Sequence, residues 1–141
     1  MIIDPLNRGY ELESKVYQHL KNLGFNKIFC EDEIRRRFGW QTTGIDFLIE
    51  LDHGIIVIQT KWVKTRRRST KAVNSFINST KFINNVYGKP ILYGLWLSRL
   101  QPFDDHKMIM EKESIYCISC IYSMEELIEQ SCKWLKDKLC F

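Results

Sequence analysis

Apolar positions along the chain alternate between two periods, and the alternation sets out the expected elements in order. Leu12, Val16, Leu20 and Leu23 recur at helical spacing, with Asp4-Pro5 suited to start that helix and Gly24 to end it. Short runs rich in Ile, Val and aromatic residues follow. They predict strands over Lys27 to Cys30, Ile45 to Leu51 and Ile55 to Trp62, the last two joined as a hairpin. Val73, Phe76, Ile77, Thr80, Ile83 and Tyr87 return to helical spacing until Gly88, behind Ser69 or Thr70 as the cap. A strand is expected over Ile91 to Ser98, a polar loop near Pro102 to Lys107, and a strand over Ile115 to Tyr122. Ser123-Met-Glu-Glu126 reads as a capping box opening a last helix that buries Leu127, Ile128, Leu135 and Leu139. Helices separated by strands in this order predict an α/β fold, a mixed central sheet flanked by helices.

The 141 residues match one domain, with no repeat, linker or biased segment to divide 1–141. Hydrophobic residues make up 45% and charged residues 27%, which excludes a disordered or collagen-like chain. The longest apolar runs are strand-sized, so no membrane span is expected. The N-terminus lacks the basic start and apolar run of a secretory signal, and the expectation is a soluble, intracellular protein. Five cysteines, Cys30, Cys117, Cys120, Cys132 and Cys140, then argue against a disulfide framework. Cys117-Ile-Ser-Cys120 has a zinc-like spacing, but it falls in an expected strand, and Cys132 and Cys140 stand more than two turns apart on one helix. No structural zinc is expected.

Net charge is only +4, but its distribution is uneven. Lys61, Lys64, Arg66, Arg67, Arg68 and Lys71 follow one another without an intervening acid. That density is the footprint expected for a polyphosphate partner, and the helix beginning after it adds exposed amides and a positive dipole end. Lys64, Arg66, Arg67, Arg68 and Lys71 are therefore candidate phosphate contacts on DNA. Arg35, Arg36 and Arg37, preceded by Glu31, Asp32 and Glu33, read as a solvated surface. Of Trp40, Trp62, Trp96 and Trp134, most are expected to pack in the interior, with stacking on unpaired bases as the alternative use.

The stretch Gly44 to Lys61 carries the candidate chemistry. If His53-Gly54 is a two-residue turn with Gly in the left-handed position, Asp52 pairs with Ile55 and Asp46 faces Lys61. Gln59, two residues before Lys61, then shares their side. A three-residue loop would turn Asp46 away unless a bulge restored it. On the first helix, periodicity places Glu13 at the edge of the apolar stripe, facing the sheet, and Glu11 on the far side. A half-buried carboxylate needs a partner, and either a metal or Lys61 would serve.

These groups suit metal-assisted phosphodiester hydrolysis. A hard divalent cation, Mg²⁺ with Mn²⁺ as substitute, prefers a carboxylate, an amide oxygen and a backbone carbonyl, here Asp46, Gln59 and Thr60. Lys61 would orient or deprotonate the attacking water, and Glu13 would act through an ordered water or a second metal.

The pattern resembles the PD-(D/E)xK nuclease superfamily, and within it the Mrr-type restriction-endonuclease catalytic domain and the Holliday-junction resolvases. The matching residues are Gly9-Tyr-Glu-Leu-Glu13 with Leu23-Gly24-Phe25, then Gly44-Ile45-Asp46, then Gln59-Thr60-Lys61. The resemblance implies an αβββαβ restriction-endonuclease-like core and catalytic roles for Glu13, Asp46, Gln59 and Lys61. Gln59 stands where many members carry an acid, leaving the site one negative charge short of that version. The expected function is a Mg²⁺-dependent DNA endonuclease, structure-selective or weakly sequence-specific, because no length remains for a sequence-reading domain. A junction-cutting role implies a homodimer. The alternatives are an Mrr-like restriction or defence nuclease targeted by a recognition partner, and a catalytically inactive nucleic-acid-binding module of the same fold.

Overall fold

The computed structural model describes residues 5–66 and 70–140. Its elements run α1 (Pro5–Asn22), β1 (Ile28–Cys30), α2 (Glu31–Phe38), a 3-10 turn (Trp40–Thr42), β2 (Phe47–Glu50), β3 (Ile55–Lys61), α3 (Lys71–Val86), β4 (Ile91–Ser98), α4 (Asp104–Lys112), β5 (Ile115–Ser119) and α5 (Met124–Leu139). The five strands form one sheet in sequence order, antiparallel from β1 to β3 and parallel from β3 to β5. The fold is α/β with a mixed sheet between helices.

Each face of the sheet has its own apolar core. Leu12, Val16 and Leu20 of α1 join Leu127, Ile128 and Leu135 of α5 over Ile56, Ile58, Leu95 and Leu97. Val73, Phe76, Ile77 and Ile83 of α3 join Ile34 of α2 and Met110 of α4 over Leu48, Ile55, Val57 and Trp96. Ile55 to Ile58 are all buried, so β3 is the central strand with helices on both sides. Leu139, expected in the core, packs against it half-buried. No helix among the described residues is long and apolar enough to cross a membrane.

Two expectations are corrected and one element is added. Arg36 and Arg37 are exposed and Arg35 half-buried, on a helix not foreseen, α2, which starts directly from β1 and carries its acids in the first turn and its bases in the last, the order the helix dipole favours. The expected polar loop at Pro102 to Lys107 is largely α4, which begins at Asp104 and buries only His106 and Met110. The last strand stops at Ser119 rather than Tyr122.

The hairpin is also out of its expected register. Leu51 N–H donates to the Gly54 carbonyl at 2.8 Å, so the turn is Asp52-His53, one residue earlier than expected. Phe47 consequently stands opposite Ile58 and Glu50 opposite Ile55. Gly54 does not take the left-handed conformation. It is required for another reason: a Cβ there would lie 2.6 Å from both the Pro90 carbonyl oxygen and Leu92 Cγ, where β4 crosses close to the turn.

Candidate active site

The sheet opens at the end where β2 begins and β3 runs out, and α1, α2 and α3 close around that opening. The result is a cleft of about 1110 Å³ lined by Glu13, Glu31, Asp32, Arg35, Asp46, Gln59, Thr60, Lys61 and Lys71, with Tyr10 and Tyr17 on its α1 wall. All four residues expected to be catalytic therefore reach one cavity. Glu11, the glutamate assigned to the far side, instead pairs with Lys15 at 3.3 Å on the surface.

The turn correction decides how Asp46 gets there. Moving a hairpin turn by one residue shifts the pairing by two, which keeps the paired residues Phe47 to Glu50 on their faces. Asp46 no longer stands across from Lys61. Its N–H donates to the Ile58 carbonyl at 2.9 Å while Phe47 is itself the partner of Ile58, the two-against-one count of a bulge. The Asp46 side chain thereby lies over the open end of the ladder. Its Oδ2 accepts from Thr60 N–H at 2.8 Å and from Thr60 Oγ1 at 2.7 Å. In an extended strand the N–H and C=O of one residue leave on the same side, so the Thr60 carbonyl also points off β3 toward Asp46.

Gln59 and Gly44 complete this corner. The Gln59 side-chain amide lies 2.5 Å from the Gly44 carbonyl oxygen and 3.3 Å from Asp46 Oδ1, and it satisfies both when its nitrogen faces them. With the amide oxygen turned inward, three oxygens would gather at one point, an arrangement that a cation stabilises and nothing else in the corner would. Gly44 is held by its surroundings: its φ is +105°, and Ser75 and Ser79 of α3 both donate to the neighbouring Thr43 carbonyl, Ser75 at 3.0 Å and Ser79 at 2.5 Å.

Electrostatics set the two carboxylates apart from surface acids. Burial pushes Glu13 up to about 7, reinforced by the charges of Asp46 and Glu31 and opposed by Lys61. Burial also pushes Asp46 up to about 6, even though both Thr60 hydrogen bonds favour its charged form. Asp46 is only 6% exposed and Gln59 7%. Two crowded, poorly compensated carboxylates beside an amide and a carbonyl oxygen are a donor set of hard oxygens lacking positive charge, and they fit a Mg²⁺-type ion. Among the described residues no group of three or more His, Cys, Asp or Glu is close enough together to hold a metal ion, so amide and backbone oxygens would have to complete the ligand set.

The basic residues divide. Lys61 and Lys71 line the cleft, and with Ala72 and Ser75 they bring the first turns of α3 to its wall. Arg66 lies outside it, its guanidinium 4.2 Å from the centre of the Phe103 ring. Lys64 is exposed and is not part of the lining. Arg67 and Arg68 lie outside the described residues, as does Ser69, the alternative cap. Thr70 precedes α3, and its hydroxyl accepts from Asn74 rather than capping the helix.

Sequence reading missed Glu31, Asp32 and Arg35 as cleft residues. Their signal was present in the acid-then-base order of an eight-residue helix, with Arg35 bonded to Glu31 at 3.3 Å and to Asp32 at 2.6 Å. Outside the lining, Arg99 donates its N–H to the Lys61 carbonyl at 2.9 Å and its side chain approaches Trp62. That contact joins the ends of two parallel strands, a placement no local pattern announces. The five cysteines are free thiols, and Cys117 and Cys120 lie on β5 and just past it.

Comparison with protein-family models, with curated proteins and with solved structures finds no match for this chain.

Proposed function

We propose that this protein is a Mg²⁺-dependent endonuclease of the PD-(D/E)xK type that hydrolyses phosphodiester bonds in DNA, acting on branched or locally unpaired substrates. The observation that carries the reading is the meeting of Glu13, Asp46, Gln59 and Lys61 in one cleft, from three separate elements, with Lys71 and the start of α3 on the same wall.

Asp46 Oδ1, the Gln59 amide oxygen once rotated, and the Thr60 carbonyl are the groups that would hold the ion. Bound there, Mg²⁺ would neutralise phosphate charge and lower the pKa of an attacking water. Thr60 fixes the Asp46 carboxylate by two hydrogen bonds, so the acid is oriented before any ligand arrives. Lys61 supplies a point charge for the oxygen that becomes more negative in the transition state, and its ammonium can orient the water. Glu13, which retains a proton near neutrality, can hold or pass one at its carboxylate. Lys71 and the α3 N-terminal turn would bind the flanking phosphate. A second copy of the chain would supply the second cut that a junction requires.

One observation favours a second reading, a nucleic-acid-binding module without catalysis: Thr60 and the Gln59 nitrogen can satisfy Asp46 without any ion. The test is incubation of the pure protein, and of Lys61→Ala, with Mg²⁺ or Mn²⁺ and labelled duplex, single strand, flap and four-way junction. Lys61-dependent cutting supports the nuclease, and the preferred substrate gives its class. Salt-sensitive binding without cutting moves the assignment to the silent module, and cutting that needs an added protein moves it to a partner-targeted nuclease.

A further inference from the structure

We infer that Trp40 and Arg35 form a stacking platform for one unpaired nucleobase at the rim of the cleft; the inference rests on the nucleic-acid reading above and names the substrate feature that this end of the cleft selects.

The four tryptophans are used very differently. Trp96 is buried with its ring 6.0 Å from that of Phe76, Trp134 packs against Tyr93 and Tyr116, and Trp62 is half-buried near Arg99. Trp40 is 76% exposed. An indole left in water forgoes the largest apolar burial any side chain can offer, so its position calls for an occupant.

Its surroundings are rigid and charged. Trp40 opens the 3-10 turn that follows Gly39, and the turn is closed by Thr42 and Thr43 hydroxyls donating to the Gly39 and Trp40 carbonyls, each at 2.8 Å. The Arg35 guanidinium lies over the indole, 4.9 Å from the ring centroid, and is itself anchored by Glu31 and Asp32. The turn and the cation are thus anchored before binding. Asp32, Arg35, Arg36 and Trp40 line a hollow of about 400 Å³, and Asp32 and Arg35 also line the main cleft. The two spaces are therefore neighbours with a shared wall, and exposed Arg36 stands beside the hollow to meet a phosphate.

A base inside a duplex has both faces covered and cannot reach such a ring. A base from a single strand, a flap or an open junction centre can, and stacking on an aromatic ring contributes without reading its identity. The platform thus gives a small chain a means of choosing structure over sequence.

The experiment uses the full chain without divalent metal, so that nothing is cut, and oligonucleotides carrying 2-aminopurine. Wild type should quench the fluorophore in a single strand or flap. In Trp40→Ala the ratio of single-strand to duplex affinity should fall about tenfold, and in Trp40→Phe it should stay within about threefold of wild type. Absence of quenching by wild type, an unchanged ratio in Trp40→Ala, or no binding of any oligonucleotide overturns the inference and leaves the indole to a protein contact. The nuclease reading fails separately: quenching that depends on Trp40, without any cutting in Mg²⁺, keeps the platform and removes the enzyme. Lys61-dependent cutting with an unchanged affinity ratio does the reverse.

Discussion

Asp46 is held in the cleft by Thr60, whose amide and hydroxyl both donate to one carboxylate oxygen, at 2.8 Å and 2.7 Å. The carboxylate occupies the position where the β2 ladder would otherwise have continued. Thr60→Val keeps the amide and removes the hydroxyl. We expect the variant to lose about 1–2 kcal/mol of stability, because a buried, charge-assisted hydrogen bond goes. We also expect Asp46 to titrate higher than in wild type, since that bond favours its charged form. NMR titration of the Asp46 carboxyl, alongside a thermal melt, checks both; an Asp46 that does not move would show that Thr60 does not control it.

Burial raises the folded-state values of Glu13 and Asp46 to about 7 and about 6, above the ordinary 4.5 and 3.8. Both groups therefore favour the folded protein fully at pH below about 4. That contribution is lost as pH rises through about 6 and 7, where folding has to charge buried acids. The metal-free protein should gain stability in Glu13→Gln at pH 8, and the gain should shrink at pH 5. Added Mg²⁺ should raise the melting temperature of wild type more at pH 8 than at pH 5, and less in Glu13→Gln. Melting curves at the two pH values are sufficient, and a Glu13→Gln gain independent of pH would contradict the assignment.

At the other end of the hairpin, Tyr87 donates to Glu50 at 2.8 Å, and Lys27 lies 3.1 Å from the same carboxylate. The Tyr87 bond, then Lys27, holds Glu50 below its ordinary range, so its contribution is present at neutral pH and is lost as the solution is acidified. Tyr87→Phe should cost about 1 kcal/mol at pH 7 and less at pH 3, read by urea unfolding. An equal cost at both pH values would assign the loss to packing alone.

Gly44 combines a φ of +105° with a close neighbour: an added Cβ would sit 2.8 Å from Ser75 Oγ. Gly44→Ala should destabilise by more than about 1 kcal/mol and displace the carbonyl that faces Gln59. Metal affinity measured by calorimetry should fall with it, whereas Gly24→Ala, where nothing lies within 4 Å of the added carbon, should leave metal affinity as it was despite its own positive φ.

These residues also show what the sequence could and could not convey. The long helices were legible because their stripes are regular: Val73, Phe76, Ile77, Thr80 and Ile83 are all buried as the spacing requires. α2 and α4 were not, since each is about two turns long and buries only one or two side chains, too few to establish a period. The hairpin turn was misplaced because Gly54 carried the signal of a left-handed residue, while its actual role is to admit Pro90 and Leu92 of the β4 approach. Asp46 still reaches Gln59 because a bulge carries its carboxylate over the open end of β3, where Thr60 binds it and the Gln59 amide lies 3.3 Å away. Glu31, Asp32 and Arg35 join the cleft only through tertiary placement.

The most direct test is the initial rate of Mg²⁺-dependent cleavage of a labelled flap or four-way junction by wild type and by Lys61→Ala, with folding of both checked by thermal melting. The proposed chemistry predicts cutting by wild type and a loss of about a hundredfold or more in Lys61→Ala, with binding of the same substrate retained. Equal cutting by both proteins, or binding with no cutting by wild type in either Mg²⁺ or Mn²⁺, would contradict it.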